Sequence, residues 1–350
     1  MMKNFEPDYR NIVEAAYNRA ARRVPMYEHQ ISDRVMERVL GREFHDLYDG
    51  DRNDRREYFR NFCTFFLTMG YDTVSFEGCI GPIMPGSGAL GQHKPGVIHS
   101  REDFDRYPWG ELVELYFKRY AVDFTLLGEV MPAGMKAIGG VGNGVFECVQ
   151  DVVGYVNLSY ISVDDPELYA DLFKAVGKTI RDIWAEFLRR FGDLYCVCRV
   201  GDDLGFKSST LISAQDIRSH VIPQYKPVVD LVHSAGKPFL LHSCGNIFGV
   251  MDDIITVAGI DAKHSNEDEI APFGQWVELY GSRIGNFGGV DTDHLCRKTE
   301  AEIREITVDV IRSAEGHGGF AVGSGNSIPD YVPTEGYLAM IEAAREYRGD

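Results

Sequence analysis

The chain has 350 residues and 44% hydrophobic content, enough to bury a large core. Its 36 Lys and Arg against 53 Asp and Glu give a formal net charge of −17. That balance excludes partners gripped through phosphates, such as nucleic acid, and an anionic membrane surface, because both need basic patches; it leaves a small-molecule substrate.

Seven Cys without a paired spacing pattern argue against a disulfide framework and for reduced thiols in a cytoplasmic protein. No apolar run reaches the roughly 18 residues of a membrane helix. The start Met1-Met-Lys-Asn-Phe-Glu-Pro7 is too acidic and polar for a secretory signal.

Residues 8–22 read as an amphipathic helix, and 24–28 as a first strand entered through Pro25. A helix over 57–69 precedes a strand over 71–77. Residues 78–96 hold six Gly and three Pro and are expected to form an extended loop, which in a compact domain is a mark of function. Ser100 with Asp103 resembles a capping box for a helix reaching Tyr120. A Gly-rich strand follows over 137–142, leading to Asn143 and Glu147; no G-x-G-x-x-G opens a helix there, which discards a dinucleotide fold.

Asp165 before Pro166 is the strongest helix start in the chain, with Leu168, Leu172, Val176, Ile180, Ile183 and Phe187 as one stripe and Gly192 as the stop. A strand over 194–200 carries Cys196 and Cys198 on one face as packing thiols and ends at Asp202 and Asp203. Helix 214–234 leads to a strand over 237–246, then helix 247–257, strand 260–264, helix 273–280, strand 283–290, helix 299–314, strand 319–323 and a last helix after Pro333.

Eight strand-like runs alternating with helices imply a parallel sheet, most economically closed into a (β/α)8 TIM barrel, with an open doubly wound sheet as the runner-up. The expected organisation is one domain over 1–350 with an N-terminal helical extension over 1–22. In that fold functional groups sit at the C-terminal strand ends. Those ends carry Glu28 and His29, Glu77, Glu147, Asp202 and Asp203, His242 and Cys244, His264 and Asn266, Asp291, and Ser324 with Asn326. Period 2 places His242 and Cys244 on one face, an imidazole and a thiolate of the kind zinc prefers. Glu77, Asp202, Asp203 and Asp291 are candidate general acids or bases, Asp202 foremost. Asn143, His264, Asn266, Ser324 and Asn326 are expected to line the pocket, while His29 and His93 are assigned structural or surface roles.

The run His242-Ser-Cys-Gly-Asn246, with Tyr280-Gly-Ser-Arg-Ile-Gly285, Gly288-Gly-Val-Asp291, Gly323-Ser-Gly325, Pro329 and Pro333, resembles the uroporphyrinogen decarboxylase superfamily over about residues 195–345. A looser likeness runs through Arg23-Val-Pro25 and Val74-Ser-Phe-Glu77. The closest branch is that of the cobalamin-dependent (corrinoid) methyltransferases. That resemblance implies the barrel fold, zinc, and a separate corrinoid protein as methyl partner. In that branch zinc is held by the His-x-Cys pair, here His242 and Cys244, and by a second cysteine at a position occupied here by Ser324. A carboxylate such as Glu147 or Asp202 would then complete the set.

The decarboxylases of the superfamily are similar in an acidic residue near Glu77. They also have an Arg-rich segment that this chain lacks around 24–30, and a His where Ser324 stands. A decarboxylase or lyase with Glu77 central and no metal is therefore the alternative enzyme, and a non-catalytic small-molecule-binding relative is the third reading.

Overall fold

The structure is a computed structural model that describes residues 5–350; residues 1–4, which open the polar start read above, lie outside the described residues. Seven parallel strands pair in sequence order: β1 Thr73–Cys79, β2 Lys136–Gly142, β3 Tyr195–Gly201, β4 Phe239–His242, β5 Ala262–His264, β6 Gly285–Val290 and β7 Phe320–Ser324. Each overlaps the run that alternation and turn residues pick out; β4, β5 and β6 lie within theirs, and β1, β2, β3 and β7 overrun theirs by one or two residues. Helices connect each pair across the outer face, as parallel pairing requires.

The eighth run does not join the ladder, so the expected closed eight-stranded barrel is corrected to a curled sheet of seven strands. Residues 24–28 touch β7 through a single bridge, Met26 to Val322, with Tyr27 N donating to Val322 O at 2.9 Å. On the β1 side the link is made by a side chain, Ser75 Oγ to His29 O at 2.6 Å. Pro25 has no N–H to give to a ladder, and Ser32 already caps the helix Asp33–Leu40.

The curl encloses a small apolar core of Tyr27, Ile138, Val197, Leu240, Phe287 and Ala321, closed from below by Ile12, Ala15 and Ala16 of the helix Arg10–Ala16. A larger core fills the space between sheet and helices. Helix Pro166–Phe191 shows how the sequence builds that layer. Asp165 Oδ1 accepts from Leu168 N at 2.9 Å, and the whole expected stripe is buried, each side chain contributing about 1.5 to 3 kcal/mol. Cys198 is buried in this layer and Cys196 in the small core inside the curl.

Two helices escaped the sequence reading, Val145–Val153 and Tyr155–Asp164, so Glu147 lies in a first helical turn rather than at a strand end. The helix expected from Ser100 to Tyr120 is broken at Tyr107, because Pro108 disfavours helical backbone in the residue before it. Among the described residues no helix is long and apolar enough to cross a membrane.

Candidate metal centre and its cavity

Register brings the site together. His242 pairs with Gly201 on one side and with His264 on the other, so the ends of β3, β4 and β5 lie level. Beyond β4 the chain turns at Gly245, in the left-handed region at φ +81°. A Cβ there would lie 2.1 Å from the carbonyl carbon of Gly205, so only glycine lets the loop after β3 pack onto the loop after β4. That contact presents Asp203 to Cys244, whose backbone N donates to Asp203 Oδ1 at 2.9 Å.

His242 Nε2 then lies 3.4 Å from Cys244 Sγ and 3.7 Å from Asp203 Oδ1, and one donor atom from each of the three residues falls within 4.8 Å of the others. A tetrahedron with arms of roughly 2.0 to 2.3 Å has edges of about 3.3 to 3.8 Å, so the two short separations suit one zinc-sized ion. A nitrogen, a sulfur and a carboxylate oxygen also match zinc chemically.

His29, His242 and His264 form a second group of three donors. Here the geometry is poorer. His29 stacks on His242 with centroids 3.7 Å apart and planes 12° from parallel, so their in-plane lone pairs run side by side instead of converging. Burial holds His29 and His242 well below the ordinary imidazole range, and His264 is brought down to about 3 by the same cause. All three are neutral rings. Burial, aided by the Asp203 charge, pushes the Cys244 thiol well up.

The three donors border a cavity of about 280 Å³ that His29, Glu77, Asn143, Glu147 and Asn326 also line. A neighbouring cavity of about 270 Å³ shares Asn326 and Ser327 with it and is bordered by Asn266 and Asp291.

The sequence-derived candidates separate into three groups. His242, Cys244, Glu77, Glu147, Asn143 and Asn326 meet at the first cavity; Asn326 Nδ2 donates to Cys244 Sγ at 3.2 Å. Glu147 stands behind Asp203: its Oε1 accepts from Asp203 N at 3.1 Å and its Oε2 from Asn143 Nδ2 at 2.9 Å. Burial, with Asp202 and Asp203 nearby, raises its carboxyl well above the usual range. Glu77 is clasped by the buried Arg199.

Asp291 and Asn266 border the second cavity, where both serve the backbone. Asp291 accepts from Asp293 N at 2.8 Å and Asp268 N at 2.7 Å, and Asn266 Oδ1 accepts from Gly289 N at 2.8 Å.

Asp202, His264 and Ser324 border neither cavity. Asp202 is fully buried and faces the start of helix Val145–Val153, accepting from Phe146 N at 3.0 Å, Glu147 N at 2.9 Å and Tyr225 OH at 2.6 Å. His264 lies behind His242. The Ser324 hydroxyl is bound to the buried Glu28 carboxyl and to Asn326 O.

From sequence Asp203 is expected to be an acid or base and His29 a structural residue; both line the cavity. Both end a strand-like run, which was the available signal; the converging loop that swings Asp203 toward Cys244 leaves no local pattern.

A family profile described as uroporphyrinogen decarboxylase (URO-D) matches residues 100–347. No curated protein sequence matches the chain. Among solved structures, the chain is similar to a methyltransferase from Methanosarcina mazei, at 14% identity and TM-score 0.70, covering 98% of this chain and 99% of that one. It is also similar to a Listeria monocytogenes protein provisionally named a vitamin-B12-independent methionine synthase, at 11% identity and TM-score 0.54, covering 94% and 100%. At these identities the likeness is one of fold. The profile match spans well over half of the sequence, and the chain belongs to the uroporphyrinogen decarboxylase (URO-D) family.

Proposed function

We propose that the protein is a zinc-assisted methyltransferase that moves a methyl group between a small molecule and a corrinoid carried by a separate protein, acting as a single cytoplasmic domain. The observation that carries this reading is the convergence of His242 Nε2, Cys244 Sγ and an Asp203 oxygen at the wall of a cavity. His242, Cys244 and Asp203 would hold the ion, with Glu147 supporting Asp203 from behind.

A zinc ion held by these residues would lower the pKa of a bound thiol or hydroxyl, which would make the anion available at neutral pH. The protein's own groups do the remaining work. His242 offers a neutral nitrogen, Asn326 directs an amide N–H at Cys244 Sγ, and Glu147 holds the backbone N–H of Asp203.

The metal-free decarboxylase reading needs a cation to hold the substrate carboxylate. Among the described residues lining the cavity there is no Lys or Arg, and nearby Arg199 is already committed to Glu77.

The test is to mix zinc-loaded protein with methylcobalamin or cob(I)alamin and a panel of thiols, phenols and methyl ethers while following the cobalt spectrum. Methyl transfer in one direction that is lost in Cys244→Ala supports the proposal. A silent spectrum across the panel overturns it.

A further inference from the structure

Behind the metal ligands, on the side away from the cavity, a line of buried groups runs Glu28, Ser324, His264, His242. We infer that His264 is a positioning residue that fixes the proton of His242 on Nδ1, leaving Nε2 bare and directed at Cys244 and Asp203. The inference rests on the reading of His242 as a ligand only in its consequence for metal binding; the proton assignment stands on its own.

The assignment follows from the partners. Ser324 O has lone pairs and no proton, so His264 Nε2, 3.0 Å away, must donate to it. A neutral His264 then has nothing left on Nδ1. That atom faces His242 Nδ1 at 2.7 Å, a separation that holds one shared proton, and the proton must therefore belong to His242. His242 Nε2 is left with its lone pair, 3.4 Å from Cys244 Sγ. A metal-bound imidazole whose far N–H is held by a fixed acceptor has this arrangement, and the acceptor sets which nitrogen binds.

The anchor is rigid. Ser324 N donates to Glu28 Oε1 at 2.9 Å, its hydroxyl bonds the same carboxyl, and Gly325 N donates to Val290 O at 2.6 Å. Space for the line is kept by Gly288 at φ +99°, where a Cβ would sit 2.7 Å from Ser324 O and 2.8 Å from His264 Cδ2. Ser324 thus takes part in the site through its carbonyl and its grip on Glu28, a use that does not require the sulfur found at this position in the methyltransferase branch.

Nitrogen NMR of the metal-free, histidine-labelled full chain reads the tautomers directly. The expected result is a proton on Nδ1 of His242 and on Nε2 of His264. A proton on His242 Nε2 would overturn the inference, whether or not the protein binds zinc.

The second arm compares zinc affinity by competition titration. His264→Phe keeps the ring volume but removes the acceptor, and is expected to lose about 10- to 100-fold in affinity and to move the His242 proton to Nε2. His264→Asn, whose side-chain oxygen falls near the place of Nδ1, is expected to stay within a few-fold of the parent. Equal affinity in a folded Phe variant refutes the positioning role. Should the Phe variant fail to fold, the tautomers of the unmodified chain decide. An unmodified chain that ignores zinc but shows the expected tautomers refutes the proposed function and leaves the proton assignment intact.

Discussion

Arg199 and Glu77 form a closed pair inside the curled sheet: Nη2 and Nε reach the same Glu77 oxygen at 2.7 and 3.1 Å, and Arg199 has no exposed side-chain surface. The other guanidinium nitrogen is held by Ser75 Oγ and Tyr27 OH at 2.7 and 3.0 Å. The pair ties β1, β3 and the unladdered first run together where backbone bonds do not. Glu77→Gln leaves a guanidinium buried without its counter-charge and is expected to cost about 3 to 5 kcal/mol in urea unfolding. A loss of methyl transfer at unchanged stability would instead make Glu77 a participant in the chemistry.

Asp202 and Asp203 are neighbours with opposite assignments. Asp202→Ala removes the acceptor of two helix-start N–H groups and of Tyr225 OH, and is expected to destabilise the fold by roughly 2 kcal/mol with zinc content preserved. Asp203→Ala is expected to do the reverse, sparing stability and weakening zinc binding. Parallel unfolding and metal analyses of the two variants separate the roles, and identical behaviour would deny the distinction.

Glu28 makes stability fall as pH rises. Burial lifts its carboxyl from 4.5 to about 8, with the Ser324 bonds opposing the shift. The folded state therefore keeps a proton that the unfolded chain releases. The stabilisation is complete below pH 4.5 and is lost progressively as pH climbs toward 8, by on the order of a few kcal/mol. Glu28→Gln keeps a hydrogen-bonding amide without the titration, so its urea midpoint should vary less than the parent's between pH 5 and 8. Parallel profiles would assign the dependence to other groups.

How much of this was legible in the sequence depends on the range of the interaction. The strands and most helices were readable because period 2, stripes such as Leu168 to Phe187, and caps such as Asp165 act within a few residues. The isolated bridge of the first run was not, because whether a short run joins a ladder depends on what lies on both of its sides. His242 and Cys244 stood out through their spacing on one strand. Asp202 outranked Asp203 because a strand-end carboxylate looks the same whether it caps a helix or faces a cavity; the turn at Gly245 against Gly205 decides which. Glu28 and His264 are legible as strand ends, but their partners are not: register brings Glu28 to Ser324 across 296 residues and His264 to His242 across 22.

Zinc binding should depend steeply on pH. The Cys244 thiol, held protonated by burial and by Asp203, must release its proton to bind metal, whereas the neutral His242 has none to release from Nε2. Competition titrations between pH 6 and 8 are expected to show about tenfold tighter binding per unit. A flat profile would mean that Cys244 is not a ligand.

The most direct measurement is zinc content after loading and desalting the full chain, its His242→Ala variant and its Cys244→Ala variant. The predicted result is about one zinc per chain in the parent and essentially none in either variant. A parent that emerges metal-free, or variants that retain the ion, would contradict a metal centre built on His242 and Cys244.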